Sequence, residues 1–298
     1  MKNILIIGCG LIGSSLLRAI ADKKIAKKIF IYEKSESNIL KITKLKLPCE
    51  VINDLKKIIP NLDLIIFCTP LGEYEKIILK INKYLSPKTI ITDVGSSKEK
   101  SMELIKKKLK KGISWTSSHP IAGSEVSGPE HGIKNLFLNK WCILIKEKNT
   151  NKKHLGVLSK FWKKIGAKIA IMGSKKHDTV FSMTSHLPHL IAYNLVKTAT
   201  DFEKQQRYEL IKFSAGGLRD FSRIAASNEI MWRDVFFNNQ KNITKAIDLF
   251  IKNLKMFKKD IQLKNNKSII KKLIETKKVR KKIIRLRYDI NKPDFGRS

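Results

Sequence analysis

Short apolar runs alternate with stretches of helical periodicity through the first 172 residues of the chain. Four runs rich in Ile, Leu and Phe have the length of buried strands: 4–7, 28–33, 62–69 and 89–94. After the third run, apolar residues recur every three or four positions, which is the spacing of one helical face. Strands that alternate with helices favour a parallel sheet covered by helices on both faces. Two further runs, 141–146 and 167–172, are candidates to extend that sheet.

The strand pattern stops after about Gly173, and the rest of the chain has the pattern of helices. Helices are predicted over four segments, with breaks near Gly216 and Gly217: 176–200, 203–213, 225–255 and 266–287. The expected fold class is therefore an α/β domain over residues 1–172 followed by an all-α C-terminal domain over residues 173–298.

Net charge changes this picture little. The chain has 61 Lys and Arg against 26 Asp and Glu, which gives a formal net charge of +35. Such an excess is typical of proteins that bind nucleic acid or an anionic membrane surface. Here the lysines are spread along the whole chain together with much Ile and Asn, so we favour a general compositional bias over a polyanionic partner.

The segment 264–298 concentrates the charge, with thirteen Lys or Arg against three Asp or Glu. An imperfect apolar stripe runs through it. We favour a lysine-rich helix that packs on its own domain or on a partner subunit over a nucleic-acid-binding arm, because no aromatic platform for bases accompanies the charge.

The apolar runs and the cysteines indicate in which cellular compartment the protein is expected. No run approaches the roughly 18 residues that span a bilayer, and the short N-terminal run enters a glycine turn without the features of a signal peptide. The four cysteines, Cys9, Cys49, Cys68 and Cys142, have no paired spacing. We therefore expect reduced cysteines and a cytoplasmic protein without a membrane partner.

The sequence GCGLIG at 8–13 lies between a predicted strand and a predicted helix, as the G-x-G-x-x-G motif of Rossmann-type dinucleotide-binding domains does. In that context Gly8 serves the tight turn, Gly10 the close approach of the backbone to a pyrophosphate, and Gly13 the packing of the helix on the strand. The pyrophosphate is expected at the helix N-terminus, at Leu11 and Ile12, where free N–H groups favour anions.

Further cofactor contacts are predicted where the next strands end. Glu33 is placed to accept hydrogen bonds from the adenosine ribose and to repel the 2′-phosphate of NADP, which favours NAD; Lys34, directly after it, weakens that inference. Thr69 and Pro70 end the third strand, and Asp93 ends the fourth. Ligands of open parallel sheets bind at this carboxyl edge.

The segment SSHPIAGSEVSGPEHG at 117–132 is predicted to be irregular, because its Gly and Pro residues disfavour both helix and strand. Irregular segments commonly carry chemistry, and this one contains His119 and Glu125. The preceding DVGSSK motif brings Ser96 to the same sheet edge. A histidine in such a segment is a candidate for chemistry, because a loop is a poor place for packing.

The helical half adds further candidates. SHLPH places His186 and His189 three residues apart on one helical face, and GGLRDFSR supplies Arg223. A metal site at His119, His186 and His189 is an alternative, but no cysteine or acid stands at an obvious ligand spacing.

Five stretches resemble, in this order along the chain, the prephenate dehydrogenase family with its arogenate and cyclohexadienyl members: GCGLIGSSL, DVGSSK, HPIAGSE, SHLPH and GGLRDFSRIAASNEIMWRD. The resemblance implies an oxidative decarboxylation in tyrosine biosynthesis. Hydride passes from ring carbon 4 of prephenate to NAD, CO2 leaves from carbon 1, and 4-hydroxyphenylpyruvate forms. It also implies a homodimer in contact through the helical domain.

The resemblance further implies roles for single residues. His119 is similar to the histidine that takes the ring hydroxyl proton, and Ser96 to the serine that contacts the same hydroxyl. Arg223 resembles the arginine that pairs with the ring carboxylate, and His189 the second histidine of the substrate site. Looser matches are pocket or gating positions: Glu125, Gly216, Asp220 and Trp232.

Several alternatives stay open. Prephenate and arogenate carry the same ring, so the substrate is not decided, nor are strict use of NAD, feedback by tyrosine, or roles for His131 and the basic tail. We expect a monofunctional enzyme, because no segment of mutase or regulatory size is evident. A 3-hydroxyacid-type dehydrogenase shares the architecture, but its usual lysine-based site does not fit HPIAG, SHLPH and LRDFSR.

Overall fold

A computed structural model describes residues 1–207 and 209–286 of the chain. The chain forms two compact units, residues 1–243 and 244–298. The end of the predicted basic tail, 287–298, lies outside the described residues. The predicted boundary between 172 and 173 falls inside the first unit.

The first unit contains a five-stranded parallel sheet in the order β3-β2-β1-β4-β5. Its strands are β1 Asn3–Ile7, β2 Lys28–Tyr32, β3 Glu50–Val51, β4 Leu64–Phe67 and β5 Ile90–Asp93. The four strands predicted from apolar runs are confirmed. The fifth, β3, has two residues, which is too short to leave a periodic pattern in the sequence.

Five helices connect and cover this sheet: α1 Leu11–Asp22, α2 Glu36–Lys44, α3 Leu55–Ile58, α4 Tyr74–Ile81 and α5 Glu99–Lys108. Side chains of β1 alternate between two cores. Ile4 and Ile6 pack with one buried cluster, while Leu5 and Ile7 pack with the other. Both faces of the strand are buried, which explains why it reads as an uninterrupted apolar run.

A second sheet has the order β6-β7-β8, with β6 Ser118–Pro120, β7 Trp141–Ile145 and β8 Lys168–Met172. Helix α6 Lys152–Ile165 connects its last two strands, which are parallel, while β6 runs antiparallel to β7. The runs at 141–146 and 167–172 therefore form their own sheet and do not extend the first one. The expected irregularity of 117–132 was wrong at its start, because β7 supplies hydrogen bonds from a distant part of the chain.

The remaining part of the first unit is helical: α7 Ser174–Phe181, α8 Leu187–Gln206, α9 Gly216–Ser222, α10 Glu229–Asn238 and the start of α11 Gln240–Gln262. The predicted helix 176–200 is interrupted by a π-helical turn at Ser182–His186, and Pro188 stands in the first turn of α8. Proline has no backbone N–H to donate to the preceding turn, so a new run of α-helical hydrogen bonds, that of α8, begins at this point. The predicted helix 225–255 is divided at Asn239. Of the predicted helix 203–213, residues 203–206 belong to the end of α8, and a short 3₁₀ turn, Ile211–Phe213, lies further along.

In the second unit, helix α12 Asn266–Arg285 follows the end of α11. The side chain of Asn265 accepts a hydrogen bond from the Ser268 N–H and caps α12. Asp260 accepts hydrogen bonds from Ser268 and Lys272. Within the described ranges, no helix is both long and apolar enough to cross a membrane.

Candidate active site

The glycine loop, residues 8–13, joins β1 to α1 in a geometry that requires two of its three glycines. Gly8 has φ +90°, and a Cβ there would lie 2.8 Å from the carbonyl oxygen of Cys68. A Cβ on Gly13 would lie 2.1 Å from the carbonyl oxygen of Gly8, while one on Gly10 would meet no described atom within 4 Å. Gly10 therefore leaves open space where a ligand can approach the backbone.

Helix α1 begins at this loop. Gly10 is its N-cap residue, and no side chain caps the first N–H groups of the helix, which include those of Leu11 and Ile12. Such a helix start suits a pyrophosphate.

Glu33 stands beside the glycine loop at the end of β2. One carboxylate oxygen accepts a hydrogen bond from the Cys9 N–H at 2.7 Å, and the other accepts from the N–H groups of Lys34 at 2.8 Å and Ser35 at 3.0 Å. Three backbone donors thus hold a negative charge where an adenosine ribose is expected in this fold.

The turn after β4 lies beside the glycine loop, at the carboxyl edge of the first sheet. The Thr69 hydroxyl oxygen is buried and has no hydrogen-bond partner in the part of the chain described. Pro70 precedes a 3₁₀ turn, Leu71–Glu73, in which the Gly72 N–H donates to the Asp234 carboxylate at 2.8 Å. A Cβ on Gly72 would lie 2.9 Å from the same carboxylate oxygen. Helix α10 therefore holds this turn, and the open glycine cradle, fixed acid and unsatisfied hydroxyl fit a dinucleotide.

His119, on β6, is the first member of a buried chain of hydrogen bonds that we call the histidine relay: His119, His177 and Asp178. His119 Nδ1 lies 2.8 Å from His177 Nε2, and His177 Nδ1 lies 2.8 Å from a carboxylate oxygen of Asp178. A carboxylate only accepts, so His177 carries its proton on Nδ1 and its Nε2 accepts the proton of His119 Nδ1. The Nε2 atom of His119 is therefore left as an unprotonated acceptor.

Burial, followed by His177 and the Lys98 ammonium, holds the pKa of His119 well below its ordinary value. The pKa of His177 is also lowered, chiefly by burial, although its hydrogen bond to Asp178 opposes this. Both imidazoles are thus neutral near pH 7, which is the state that a proton acceptor needs.

Asp178 also fixes the loop that follows β5. Its carboxylate accepts hydrogen bonds from the Lys98 N–H at 2.8 Å, the Glu99 N–H at 2.9 Å and the Ser97 hydroxyl at 3.4 Å. Ser96, the predicted catalytic serine, is the residue directly before these. One carboxylate thereby sets the position of both the histidine relay and the serine-bearing loop.

Beneath the relay lies a buried ion pair between Lys98 and Asp93. The Lys98 ammonium is fully buried and donates to Asp93 at 2.6 Å and to the carbonyl oxygen of Ser118, next to His119, at 2.7 Å. Asp93 also accepts from four other protein donors: the Gly95 N–H, the Tyr74 and Ser117 hydroxyls and the Trp115 indole. Asp93 was predicted as a cofactor contact, but its carboxylate is enclosed by these donors and acts as the counter-ion of Lys98.

The second group of candidates contains a solvent-accessible ion pair that we call the arginine pair: Arg223, which follows α9, and Glu125. The Arg223 side chain is 46% exposed and that of Glu125 is 23% exposed. Although burial opposes it, hydrogen bonds from its own backbone N–H and from Arg223 lower the pKa of Glu125. Glu125 is therefore ionised at neutral pH.

His189 lies close to the arginine pair and stacks on Trp232 with ring centroids 3.8 Å apart. Its Nδ1 donates to the carbonyl oxygen of Ser185 at 2.9 Å, which leaves Nε2 as the acceptor in the neutral ring. Burial, together with the Arg223 charge, lowers the pKa of His189. Gly216 begins α9 and Asp220 lies within it, and both are exposed.

Sequence reasoning missed four buried residues of this region: Lys98, His177, Asp178 and Asn239. Asn239 donates to the Asp178 carbonyl oxygen at 2.7 Å and lies 3.0 Å from His186 Nδ1. Burial lowers the pKa of His186 to about 4. His177 and Asp178 are adjacent in a lysine-rich helix, and no spacing pattern separates them from surface residues. Across residues 1–207 and 209–286, no three His, Cys, Asp or Glu side chains are grouped to hold a metal ion.

Two family models match the chain. The nucleotide-binding domain of prephenate dehydrogenase matches residues 16–171, and the dimerization domain of prephenate dehydrogenase matches residues 173–286.

Individual proteins are similar over nearly the full chain. The cyclohexadienyl dehydrogenase of Zymomonas mobilis is 32% identical over 279 residues, which cover 94% of this chain and 95% of that protein. The prephenate dehydrogenase of Lactococcus lactis is 32% identical over 284 residues, covering 94% and 77%. The crystal structure of prephenate dehydrogenase from A. aeolicus in complex with hydroxyphenyl propionate and NAD+ superposes with a TM-score of 0.88 at 33% identity, covering 95% of this chain and 98% of that one.

Proposed function

We propose that this chain, which belongs to the prephenate dehydrogenase family, is an NAD-dependent dehydrogenase that converts prephenate to 4-hydroxyphenylpyruvate and CO2 in tyrosine biosynthesis. The observation that carries the proposal is the histidine relay, which leaves His119 Nε2 as an unprotonated acceptor and is bonded through Asp178 to the loop that carries Ser96. The reaction needs one proton acceptor at a ring hydroxyl, and the relay supplies it in a preset tautomer.

In the proposed reaction His119 Nε2 accepts the proton of the hydroxyl on ring carbon 4, while Ser96 hydrogen-bonds the same oxygen. NAD, when bound, would supply the acceptor for the hydride that leaves ring carbon 4, where the C–H bond breaks and the C–O bond becomes a carbonyl. The bond from ring carbon 1 to its carboxylate breaks, CO2 leaves, and the electrons of that bond complete the aromatic ring. The proton then returns to the ring oxygen, so His119 ends neutral.

Aromatisation and loss of CO2 supply much of the driving force, so positioning is the main task of the remaining residues. Arg223 is proposed to bind the ring carboxylate, because a guanidinium pairs with a carboxylate through two parallel hydrogen bonds. The same guanidinium donates a hydrogen bond to Glu125. His189 is proposed to face the side chain of the substrate, with Glu125, Gly216, Asp220 and Trp232 as pocket or gating residues.

Arogenate, or both substrates, is the second candidate, because the Z. mobilis relative is a cyclohexadienyl dehydrogenase. The two substrates share the ring and differ in a keto or an amino group on the side chain. The test is to supply the purified protein with prephenate or arogenate, each with NAD, and to follow the reduced cofactor. A higher kcat/KM with prephenate supports the proposal, a higher value with arogenate replaces it, and turnover of neither rejects both.

We also propose that residues 173–298 form the substrate-binding and dimerisation domain of a homodimer, since 173–286 match the dimerization family. Light scattering after size exclusion tests this, and a monomeric mass at the assay concentration would contradict it.

A further inference from the structure

We infer that Glu73 is a specificity-determining residue, which favours NAD over NADP by holding the ammonium group of Lys34. The inference concerns the cofactor end of the site and does not depend on which cyclohexadiene the enzyme oxidises.

Lys34 directly follows Glu33, the acid expected at the adenosine ribose. In Rossmann-type domains a cation close to this acid is what accommodates the 2′-phosphate of NADP. Lys34 therefore stands where it could recruit the phosphate, and its side chain is 61% exposed, so it can reach a ligand. The sequence alone leaves the preference between NAD and NADP ambiguous for this reason.

Glu73 shifts the preference toward NAD, because its carboxylate pairs with the Lys34 ammonium that could otherwise bind the 2′-phosphate of NADP. A carboxylate oxygen of Glu73 lies 2.6 Å from Lys34 Nζ, and the other lies 3.7 Å from Lys76 Nζ. The hydrogen bond to Glu73 raises the pKa of Lys34, and the same contact lowers the pKa of Glu73. The pair is thus fully charged at neutral pH.

The backbone that carries Glu73 is itself fixed. The neighbouring Gly72 N–H donates to the buried Asp234 carboxylate at 2.8 Å, and the turn starts from Pro70. A side chain that extends from an anchored turn loses less conformational freedom when it forms an ion pair than one on a mobile loop. Glu73 is accordingly placed to hold Lys34 and to add a second negative charge near Glu33.

Because the protein carries a large positive net charge, the ion pair between Glu73 and Lys34 matters for discrimination between NAD and NADP. A formal net charge of +35 attracts the more anionic NADP over the whole surface. Discrimination in favour of NAD therefore has to come from carboxylates close to the ribose. Glu33 supplies one, and Glu73 supplies the other while it holds the Lys34 ammonium.

The experiment compares cofactor binding by four purified full-length proteins: wild type, Glu73→Gln, Glu75→Gln and the double variant Glu73→Gln with Lys34→Gln. Dissociation constants for NAD and NADP are measured by calorimetry without substrate. Glu75 is the matched control, because it loses the same charge two residues away and its partner is Lys108, at 2.9 Å. All substituted side chains are at least 32% exposed, so none removes a core contact.

We expect Glu73→Gln to tighten NADP binding about fivefold, the upper range for one exposed ion pair, with NAD binding within about twofold of wild type. The gain should be absent in the double variant and in Glu75→Gln, and should shrink as salt is raised. An unchanged NAD to NADP ratio in Glu73→Gln overturns the inference. So does the same shift in Glu75→Gln, or a gain that survives the loss of Lys34.

Discussion

The histidine relay and the arginine pair lie in the same compact unit but in opposite environments. The relay residues His177 and Asp178 are 0% and 1% exposed, and His119 is 7% exposed. Arg223 of the arginine pair is 46% exposed. The relay residues bond one another inside the protein and leave only His119 Nε2 as an acceptor, whereas the arginine pair consists of two charges that a ligand can separate.

The difference follows from what each group has to do. A proton acceptor works best with a fixed tautomer and a neutral state, and burial with a carboxylate partner provides both. A carboxylate-binding arginine has to exchange one anion for another, and an exposed ion pair costs little to break. The two groups should therefore respond differently to substitution, salt and pH.

The largest effect is expected at the relay. His119→Asn removes the Nε2 acceptor and should lower kcat about 10²- to 10⁴-fold, the usual range for a general base, while NAD binding stays near wild type. Steady-state kinetics and an NAD titration measure the two quantities. His154→Asn is the matched control, since His154 is also 7% exposed and bonds Ser114 outside the relay. Wild-type turnover in the His119 variant would falsify the assignment.

The buried ion pair between Lys98 and Asp93 tests how strongly the burial of charges affects the free energy of unfolding. Lys98→Met leaves the Asp93 carboxylate buried without its cation and should lower the free energy of unfolding by about 3–5 kcal/mol. Urea denaturation measures this. Lys197→Met breaks the exposed pair with Asp201 on α8 and should cost about 0.5 kcal/mol or less. Equal losses in the two variants would show that burial of the Lys98 pair has no energetic consequence.

At the arginine pair the expected effect is on binding. Arg223→Ala should raise KM for the cyclohexadiene substrate about ten- to a hundredfold, the value of one charged hydrogen bond, and leave kcat within about threefold. The loss should be smaller at high salt, because the site is exposed. Lys197→Ala removes a similarly exposed cation on α8 and should leave KM unchanged. A fall in kcat with constant KM would assign Arg223 to the chemical step.

The last effect, which is small within any one pH unit, is on the dependence of stability on pH. Burial lowers the folded-state pKa of His186 to about 4, while in the unfolded chain it titrates near 6.5. Above pH 6.5 both states are neutral; below it only the unfolded chain takes up the proton, so stability falls as pH decreases toward 4. This histidine contributes about 1.4 kcal/mol per pH unit over that window.

Unfolding curves at several pH values measure this slope. His186→Asn should make the slope shallower by about one proton, whereas replacing the exposed His131 with Gln serves as the control. A slope that is the same in both variants would show that His186 is protonated equally in the folded and unfolded chain.

Local features were predicted from the sequence wherever their cause is local. Gly13 is needed because a Cβ there would strike the carbonyl oxygen of Gly8, five residues earlier in the same loop. The four apolar strands follow from burial on both faces of the sheet. The positions of His119, Arg223 and Glu125 came from motif resemblance, and the roles given to them stay predictions.

The relay was not predictable, because its members meet only in the folded chain. His119 and His177 are 58 residues apart, and their contact depends on β6 pairing with β7 and on where α7 begins. The partners of Asp93 were also not predictable from its local sequence. Its place at a strand end suggested a ligand contact, but Lys98 and its other donors enclose it.

The sequence by itself determined the four long strands of the first sheet, the glycine loop, the acid at Glu33 and the family. Periodicity and steric demand act over a few residues, so they are written into short stretches of sequence. Tertiary structure alone decided the second sheet, the tautomer of His119, the buried partner of Lys98 and the contact between Glu73 and Lys34. Each of these depends on desolvation or on a hydrogen-bond partner from a distant part of the chain. Desolvation and distant partners cannot be inferred from the spacing of residues in a short stretch of sequence.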